Sequence, residues 1–577
     1  MYYTKNKKRN NTLIMISKIQ KNLLNLLILL SLFVILYILI SGGQTLYISN
    51  VKIRLNHLHN PLLIFSMLFA LRLSLFKDQE FLLNTSVIKF SHNYSEFVSK
   101  NTKKELLLYF LIIVFFSTFC YLRMFNNYFI RSDFELLEEV IKTNSNFLDI
   151  FSLRFSNLFR PFFNLLFLLN YKLSGLNPIG YYIVNYLIHI GNSLLLFYFT
   201  YILTKSRFIS FLAALLFAVN FDHYQAVMWI SGRPGLGAAM LYLFTLIFFS
   251  RYLILNNKAI YMASVVTFGL SLLFYEGTVT LLPMMFLYDI IFHKRFNISN
   301  LQRFIKKYGV FIILLIIYVI FQFYIQSGGP HQKGIAFNLH FLYGILRSTI
   351  TINEWIIPLL ILSVIFQRNN ITFQSLKDLL NNPVIIFSFM WIIIALFPFS
   401  FFQERSIVPS RYFYIPSIGS SILLSFLIYQ IYQTGVQSLK TTNNILQNKF
   451  KATLIITTLV IILANTLATY QQEQFFGKKP DWRKIITTLK TQYNNFPDNS
   501  RIYFMNISTR EIHVKALMHV FFNPTLKTFS SKTSKINIQK NDQEKKEKIF
   551  VFDYVDGKII NRTSDYIYSD PKRNPYP

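Results

Sequence analysis

The sequence has a single cysteine and little charge for its length. Cys120 cannot form a disulfide within the chain, and one thiol cannot build a cysteine-based zinc site. Charged residues make up 15% of the 577 residues and hydrophobic residues 53%, and the mean hydropathy is +0.38. That composition is too apolar for one soluble domain of this length, and it is ordinary for a protein that crosses a membrane many times.

Acidic residues are the scarcer charge type. The chain has 58 Lys and Arg against 26 Asp and Glu, which gives a formal net charge of +32. Such a balance can indicate nucleic-acid binding, but here the basic residues gather in short loops between apolar runs. Basic loops that flank membrane spans are retained in the cytoplasm, which accounts for the positive charge without nucleic-acid binding. The expected partner is therefore the lipid bilayer, and no nucleic acid is expected.

Long apolar runs dominate the chain and predict an all-α polytopic membrane protein. The first run, 22–42, is long enough to cross a bilayer and lacks the cleavage pattern of a secretory signal, which predicts an anchor. Together with the runs that follow it, about thirteen transmembrane helices are expected. The later spans are predicted at 61–76, 106–122, 181–203, 208–220, 235–252, 259–275, 278–292, 309–326, 341–366, 384–402, 412–432 and 452–469.

The basic residues near the span ends predict a multi-pass plasma membrane protein with a cytoplasmic N-terminus. The extracytoplasmic loops then contain nearly every polar residue that is unusual for a membrane protein. They are 43–60, 123–180, 221–234, 275–277, 327–340 and 403–411. Since such residues are costly at bilayer depth and usually functional, the sequence predicts one extracytoplasmic site.

Two outer segments have structure of their own in this prediction. Residues 147–159 place aromatic residues at helical spacing, as in a helix that lies in the membrane interface. After the last span the composition becomes polar, with a helix in PDWRKIITTLKTQY, a strand in RIYFMNI and a hairpin that turns at Asp556 and Gly557. The lysine-rich piece 527–548 is predicted as a solvated loop.

The predicted organisation therefore has three parts. N-terminal membrane helices and a cytoplasmic loop occupy 1–105, a transmembrane catalytic module occupies 106–469, and a small extracytoplasmic α/β domain occupies 470–577.

Four motifs resemble those of polytopic GT-C glycosyltransferases. They are RPFFNLLFLLNYKLSGLNPIGYYIVNYLIH, LAALLFAVNFDHYQAVMWISGRPGL, LSLLFYEGTVTLLPMMFLYD and SRYFYIPSIG. They are most similar to bacterial protein-O-mannosyltransferase-like proteins and to the membrane half of the transmembrane, tetratricopeptide-repeat O-mannosyltransferases. The resemblance implies transfer of a sugar from a polyprenyl-phosphate donor to an extracytoplasmic acceptor, with an acidic residue of the first large outer loop as the base.

That loop contains NNYFIRSDFELLEEV, in which Asp133 matches the second position of the acidic pair of the family. Ser132 stands at the first position, which departs from the pattern. A carboxylate there can accept the acceptor's proton. The alternative is that Asp133 only caps a helix over 134–142, because Asp is a favoured N-cap residue.

The loop 220–234 offers a second group of candidates. Relatives carry a glutamate where this chain has Gln225, so a second acid would have to be Asp222 or Glu276, unless Asp133 acts alone. His223 is predicted in the substrate pocket or in a structural hydrogen bond. Arg233 is predicted to bind the donor phosphate or to anchor the helix at the interface.

Further phosphate ligands are predicted at the outer membrane surface. Arg411 lies where an outer loop enters a span, and a guanidinium there can bind phosphate in a bidentate manner, as Arg160 could from the interface. Tyr412 and Tyr414 are expected to shape the pocket or the aromatic belt.

One helix face combines three polar residues. Asn185, His189 and Asn192 have spacings that place them together. The first two are candidates for the substrate pocket, although interhelical hydrogen bonds are favoured for the set. No obligatory metal is predicted, because His189, His223 and one carboxylate would be a weak candidate set of metal ligands.

Three other classes share features with this prediction. A polysaccharide polymerase or ligase would also use a lipid-phosphate donor. A transporter of lipid-linked glycans would also place polar groups within the membrane, but its broken helices occur in matching halves. A noncatalytic scaffold would account for Ser132 and Gln225.

Overall fold

A computed structural model describes residues 2–41, 44–48, 51–55, 58–75, 102–143, 150–151, 159–293, 301–326, 339–367, 373–400, 410–440, 444–475, 480–533 and 548–567. The interface helix predicted at 147–159 lies almost wholly outside these residues.

Helices form most of the described chain. In order they are α1 (Tyr2–Ser41), α2 (His59–Leu75), α3 (Thr102–Tyr121), α4 (Asp133–Thr143), α5 (Pro161–Ser174), α6 (Pro178–Thr204), α7 (Arg207–Ala218), α8 (Tyr224–Met228), α9 (Arg233–Leu255), α10 (Lys258–Phe274), α11 (Leu281–Tyr288), α12 (Leu301–Gln326), α13 (Leu339–Asn353), α14 (Ile356–Gln367), α15 (Phe373–Leu380), α16 (Pro383–Ser400), α17 (Pro416–Lys440), α18 (Asn444–Phe475), α19 (Trp482–Gln492), α20 (Glu511–Phe521) and α21 (Thr563–Ile567). Several begin at proline, whose fixed φ and missing N–H suit the first helical turn.

Six segments of the described residues are helical, long and apolar enough to cross a membrane. They are Ile19–Leu39, Thr102–Asn126, Pro178–Thr204, Ile230–Leu255, Gln302–Gln322 and Gln447–Gln472. Two bent pairs, α7 with α8 and α13 with α14, would raise the number to eight. The structure therefore supports a helical membrane protein, and the count of about thirteen spans stays a prediction.

The bend of 51° between α7 and α8 shapes the loop that contains the site candidates. The chain leaves the helix at Asn220, whose side-chain oxygen accepts a hydrogen bond from the backbone N–H of Asp222 at 2.8 Å. Asparagine makes such local bonds readily and thereby competes with helix continuation. The residues that follow consequently turn back against the helices, and His223 is fully buried.

Close packing of α16 against α17 centres on Gly419. A Cβ atom at this position would lie 2.6 Å from the backbone oxygen of Ser388. The neighbouring Trp391 is fully buried and donates its indole N–H to the backbone oxygen of Ile415 at 2.9 Å. A small residue thus lets two apolar helices approach closely, as is typical of helix contacts in membranes.

The chain after α18 forms a four-stranded sheet with three helices, α19, α20 and α21, here called the C-terminal sheet unit (480–533 and 548–567). The strands are β3 (Arg501–Met505), β4 (Lys527–Ser530), β5 (Ile549–Val555) and β6 (Lys558–Asn561), in the order β4-β3-β5-β6. The first three are parallel to one another where they pair, and β5 and β6 are antiparallel. Earlier in the chain, β1 (Gln44–Ile48) and β2 (Val51–Leu55) form an antiparallel hairpin.

The sheet unit contains the predicted elements, with one correction. Helix α19, strand β3 and the turn at Asp556 and Gly557 all form, and positive φ values of 47° and 80° fit the tight hairpin turn that favours Asp-Gly. The prediction of a solvated loop over 527–548 is wrong for residues 527–530. They form β4, because pairing with β3 buries Thr528 and outweighs the charge of Lys527.

Candidate active site

Asp133 is the first residue of α4 and is fully buried. Its Oδ2 accepts a hydrogen bond from the backbone N–H of Ile130 at 2.9 Å, and its Oδ1 accepts one from the backbone N–H of Ser231 at 2.8 Å. Burial raises the pKa of this carboxyl to about 6, against the opposing effect of these donors and of the Arg233 charge. The carboxylate therefore does not cap its own helix, and the capping interpretation is wrong.

Ser132, which replaces an acid of the family pattern, links the same two loops. Its hydroxyl is 2.8 Å from the hydroxyl of Ser231. Two successive residues of the first outer loop thus contact one residue of the 220–234 loop, and the serine strengthens the position of Asp133.

Gly232 explains why the 220–234 loop can turn so tightly beside Asp133. A Cβ atom here would lie 2.4 Å from the backbone oxygen of Gln225. The side-chain N–H of Gln225 donates to the hydroxyl of Tyr224 at 3.1 Å, and its assignment to the substrate pocket stays a prediction. Glycine therefore keeps the amide of Ser231 within reach of the carboxylate.

Two arginines lie near the ring of Trp229, two residues before Ser231. The guanidinium carbons of Arg131 and Arg411 are 5.7 and 5.5 Å from the ring centroid. Arg411 also lies 4.6 Å from the ring of Tyr412 and forms no ion pair with a described carboxylate. Sequence analysis missed Arg131 and Trp229, although Arg131 is only two residues from Asp133.

Arg160 and Glu276 form a bidentate ion pair. Nε and Nη2 of Arg160 donate to the two carboxylate oxygens at 2.8 and 2.6 Å. Their side chains are 14% and 26% exposed, so the pair is largely shielded from water. Each partner is thereby occupied by the other, which weakens the prediction of Glu276 as a base and of Arg160 as a phosphate ligand.

Asp222 lies apart from this group. It interacts electrostatically with His59 and Glu354, which form an ion pair with each other. Phe221 stacks on the His59 ring with centroids 4.5 Å apart. This carboxylate consequently belongs to a contact between α2, the α7–α8 bend and the start of α14.

Arg233 is fully buried inside the helices. Nε donates to the side-chain oxygen of Asn185 at 2.5 Å, and Nη2 donates to the backbone oxygen of Tyr181 at 2.9 Å. The arginine acts on Asp133 through its charge. Its burial and its bonds to α6 favour a structural role between α6 and α9, and its assignment to the donor phosphate stays a prediction.

The polar face of α6 forms interhelical hydrogen bonds. Asn185 donates to the backbone oxygen of Val227, and Asn192 donates to that of Leu236, both at 2.9 Å. His189 contacts the Tyr414 hydroxyl at 2.8 Å and the Ala218 backbone oxygen at 3.0 Å. All of these side chains are buried, which agrees with the favoured structural interpretation.

The remaining candidates for the substrate pocket lie in two places, the helix interior and the surroundings of Arg411. His223 is 2.6 Å from the Ser417 hydroxyl and 4.4 Å, between ring centroids, from Tyr414, so both lie in the helix interior. Tyr412 stacks on Phe399 beside Arg411. Within the described residues, no three His, Cys, Asp or Glu side chains converge so that they could hold a metal ion.

These features define a class: a helical membrane protein in which a buried, hydrogen-bonded carboxylate contacts the loop whose Trp229 lies near two arginines. No protein-family model matches the chain. A segment is 31% identical over 154 residues to Protein O-mannosyl-transferase TMTC2 from Homo sapiens, covering 26% of this chain and 18% of that protein. Another match, 38% over 96 residues, is to Protein O-mannosyl-transferase TMTC1 from Homo sapiens, covering 16% and 11%. The resemblance inferred from the motifs is thereby confirmed, over less than a fifth of the length of these relatives.

ArnT from Cupriavidus metallidurans, determined with bound undecaprenyl phosphate, aligns with a TM-score of 0.44 and 12% identity over 74% of this chain and 86% of that chain.

Proposed function

We propose that this protein is a GT-C-type glycosyltransferase that moves a sugar from a polyprenyl-phosphate donor to a hydroxyl on the extracytoplasmic side. The motifs and the similarity to proteins named O-mannosyl-transferases support this class. Those names favour mannose as the sugar and a protein as the acceptor. The whole activity is a proposal, because the similarity covers one segment.

The observation that carries the proposal is the environment of Asp133. Two backbone amides orient the carboxylate, and no described cationic side chain hydrogen-bonds to it. Each carboxylate oxygen can accept two hydrogen bonds, so acceptor capacity remains for an incoming hydroxyl. A carboxyl with a pKa of about 6 is ionised at neutral pH and is a stronger base than an ordinary aspartate.

The leaving phosphate needs positive charge at the other end of the transferred sugar. Arg411 and Arg131, which both lie near the Trp229 ring, are the arginines that we assign to this role. Guanidinium groups bind phosphate oxygens in pairs and hold the charge that develops as the sugar departs. Arg160 is less suited, since it already binds Glu276.

The three acidic candidates are thereby ranked. Asp133 remains available, Glu276 is neutralised by an arginine, and Asp222 interacts with a separate ion pair. We assign general-base catalysis to Asp133 alone.

The test is Asp133→Asn in the purified full-length protein, with radiolabelled mannose on a polyprenyl phosphate and a hydroxyl-containing peptide. Asparagine keeps the size of the side chain but cannot accept the proton, so the transfer rate should fall about 10²- to 10⁴-fold. Glu139→Gln is the control, because this side chain of the same helix is 40% exposed. An Asp133→Asn protein with unchanged turnover would remove Asp133 from the mechanism.

A further inference from the structure

The C-terminal sheet unit lies directly on α4, the helix that begins with Asp133. Phe134 is fully buried, and its ring centroid is 5.8 Å from Trp482 of α19 and 6.3 Å from Phe521 of α20. Arg483 lies over the ring of Tyr128 at 5.4 Å, five residues before Asp133. The residues that flank the candidate base are therefore covered by the sheet unit.

Two histidine–carboxylate pairs join the facing helices. His513 of α20 pairs with Glu135 of α4, and Nδ1 of His519 is 2.7 Å from the Oε1 of Glu138. The four side chains are between 9% and 19% exposed, so solvent screens these pairs only weakly. Pairs that are shielded in this way depend strongly on their geometry.

His519 forms contacts through both ring nitrogens. Its Nδ1 faces the carboxylate of Glu138, and its Nε2 is 2.9 Å from the backbone oxygen of Leu526. The ring is thereby fixed between α4 and the residue that precedes β4. Burial opposes ionisation of Glu138, yet the bonds and charges of His519 and Lys142 lower its pKa to about 2.

We infer that the C-terminal sheet unit positions the catalytic base, with His519 and Glu138 as the positioning residues that fix α4. This inference rests on the proposed function. α4 contacts Ser231 at its first turn and α20 along its polar face, while Leu136, Leu137 and Val140 on its apolar face are buried in the core. A shift of about 1 Å at a reacting group can cost roughly 10²-fold in rate, so a loosened α4 should slow transfer without removing the donor site.

The experiment compares His519→Gln, Glu138→Gln and the double variant with Glu139→Gln in the full-length protein. We expect kcat to fall roughly 10- to 100-fold in each of the first three. The KM for the donor should stay within about threefold, because Arg411 lies outside α4. The double variant should be no slower than the slower single variant, as for two residues of one interaction.

Hydrogen exchange of the peptide 133–143 supplies a readout that does not depend on activity. Exchange should accelerate in the three variants and stay unchanged in Glu139→Gln. If His519→Gln does not fold, Glu138→Asp replaces it in the experiment. Aspartate keeps the negative charge, but its side chain is one methylene shorter, which moves the carboxylate away from His519. Wild-type kcat together with wild-type exchange in the folded variants overturns the inference.

The failure of each proposal has its own signature. An inactive Asp133→Asn protein beside fully active His519 and Glu138 variants overturns the positioning role only. An active Asp133→Asn protein overturns the proposed base, whatever the exchange of α4 shows.

Discussion

Oδ1 of Asp133 accepts a hydrogen bond from the backbone amide of Ser231 at 2.8 Å, which joins two loops that are 98 residues apart in sequence. The contact places the candidate base beside Trp229 and its two arginines. It also makes the carboxylate dependent on two separate segments of chain, so a change in either loop should alter catalysis.

The rate of transfer should depend on pH through Asp133. Burial raises the pKa of this group to about 6, and only the ionised form can accept a proton. kcat/KM should therefore rise about tenfold for each pH unit below about 6 and level off above it. Initial rates between about pH 5 and pH 8 measure this, with the residual rate of Asp133→Asn as the reference that lacks the rise. A wild-type rate that is flat through pH 6 would contradict the assignment.

Glu276 should contribute to the stability of the folded protein and should not act as the catalytic base. Glu276→Gln should keep transfer within about tenfold of wild type, because Asp133 remains. Breaking the shielded pair with Arg160 should lower the unfolding temperature, and the cycle of Glu276→Gln, Arg160→Gln and the double variant should give a coupling of about 1–3 kcal/mol. A loss of activity as large as that of Asp133→Asn, without a change in stability, would return Glu276 to the mechanism.

Local patterns in the sequence predicted most of the local structure. Apolar runs indicated the helices, and the Asp556-Gly557 pair indicated the hairpin because few residues accept positive φ in succession. The spacing of Asn185, His189 and Asn192 likewise indicated one buried face. Each of these features is determined by residues that are close together in the sequence. A local sequence pattern is sufficient to predict such features.

The partners of charged residues could not be predicted in the same way. Arg160 and Glu276 are 116 residues apart, and the sequence predicts phosphate binding for the first and an acid's role for the second, because a charge near a membrane suggests function. Asp222 was assigned likewise, although its electrostatic partners lie in α2 and before α14. Which charged residues pair with one another depends on how the helices pack. A local sequence pattern does not show that packing.

Arg411 should contribute to donor binding through its planar guanidinium. The group lies over the rings of Trp229 and Tyr412 and can bind two phosphate oxygens in a bidentate manner, a geometry that the point charge of a lysine ammonium does not reproduce. Arg411→Lys should weaken the binding of a bare polyprenyl phosphate about tenfold, or about 1.4 kcal/mol. The matched control is Arg251→Lys, because Arg251 also lies over a tyrosine ring, at 5.5 Å.

Titrations in matched detergent measure this affinity. Equal affinity of wild type and Arg411→Lys would exclude the phosphate role and leave Arg411 as an interfacial anchor, for which lysine is an adequate substitute. Absence of binding to both proteins would favour the noncatalytic scaffold.

The candidate base and the C-terminal sheet unit should face the outside of the cell. The basic residues predict a cytoplasmic N-terminus, and α4 contacts α20 directly, so the two must lie on the same side. Single cysteines at Glu139 and Asn499, in a Cys120→Ser background, should react with an impermeant maleimide on intact cells. A cysteine at Lys205, at the predicted cytoplasmic end of α6, should react only after permeabilisation. The reverse pattern would place Asp133 in the cytoplasm, where a lipid-linked donor presented on the outer face could not reach it.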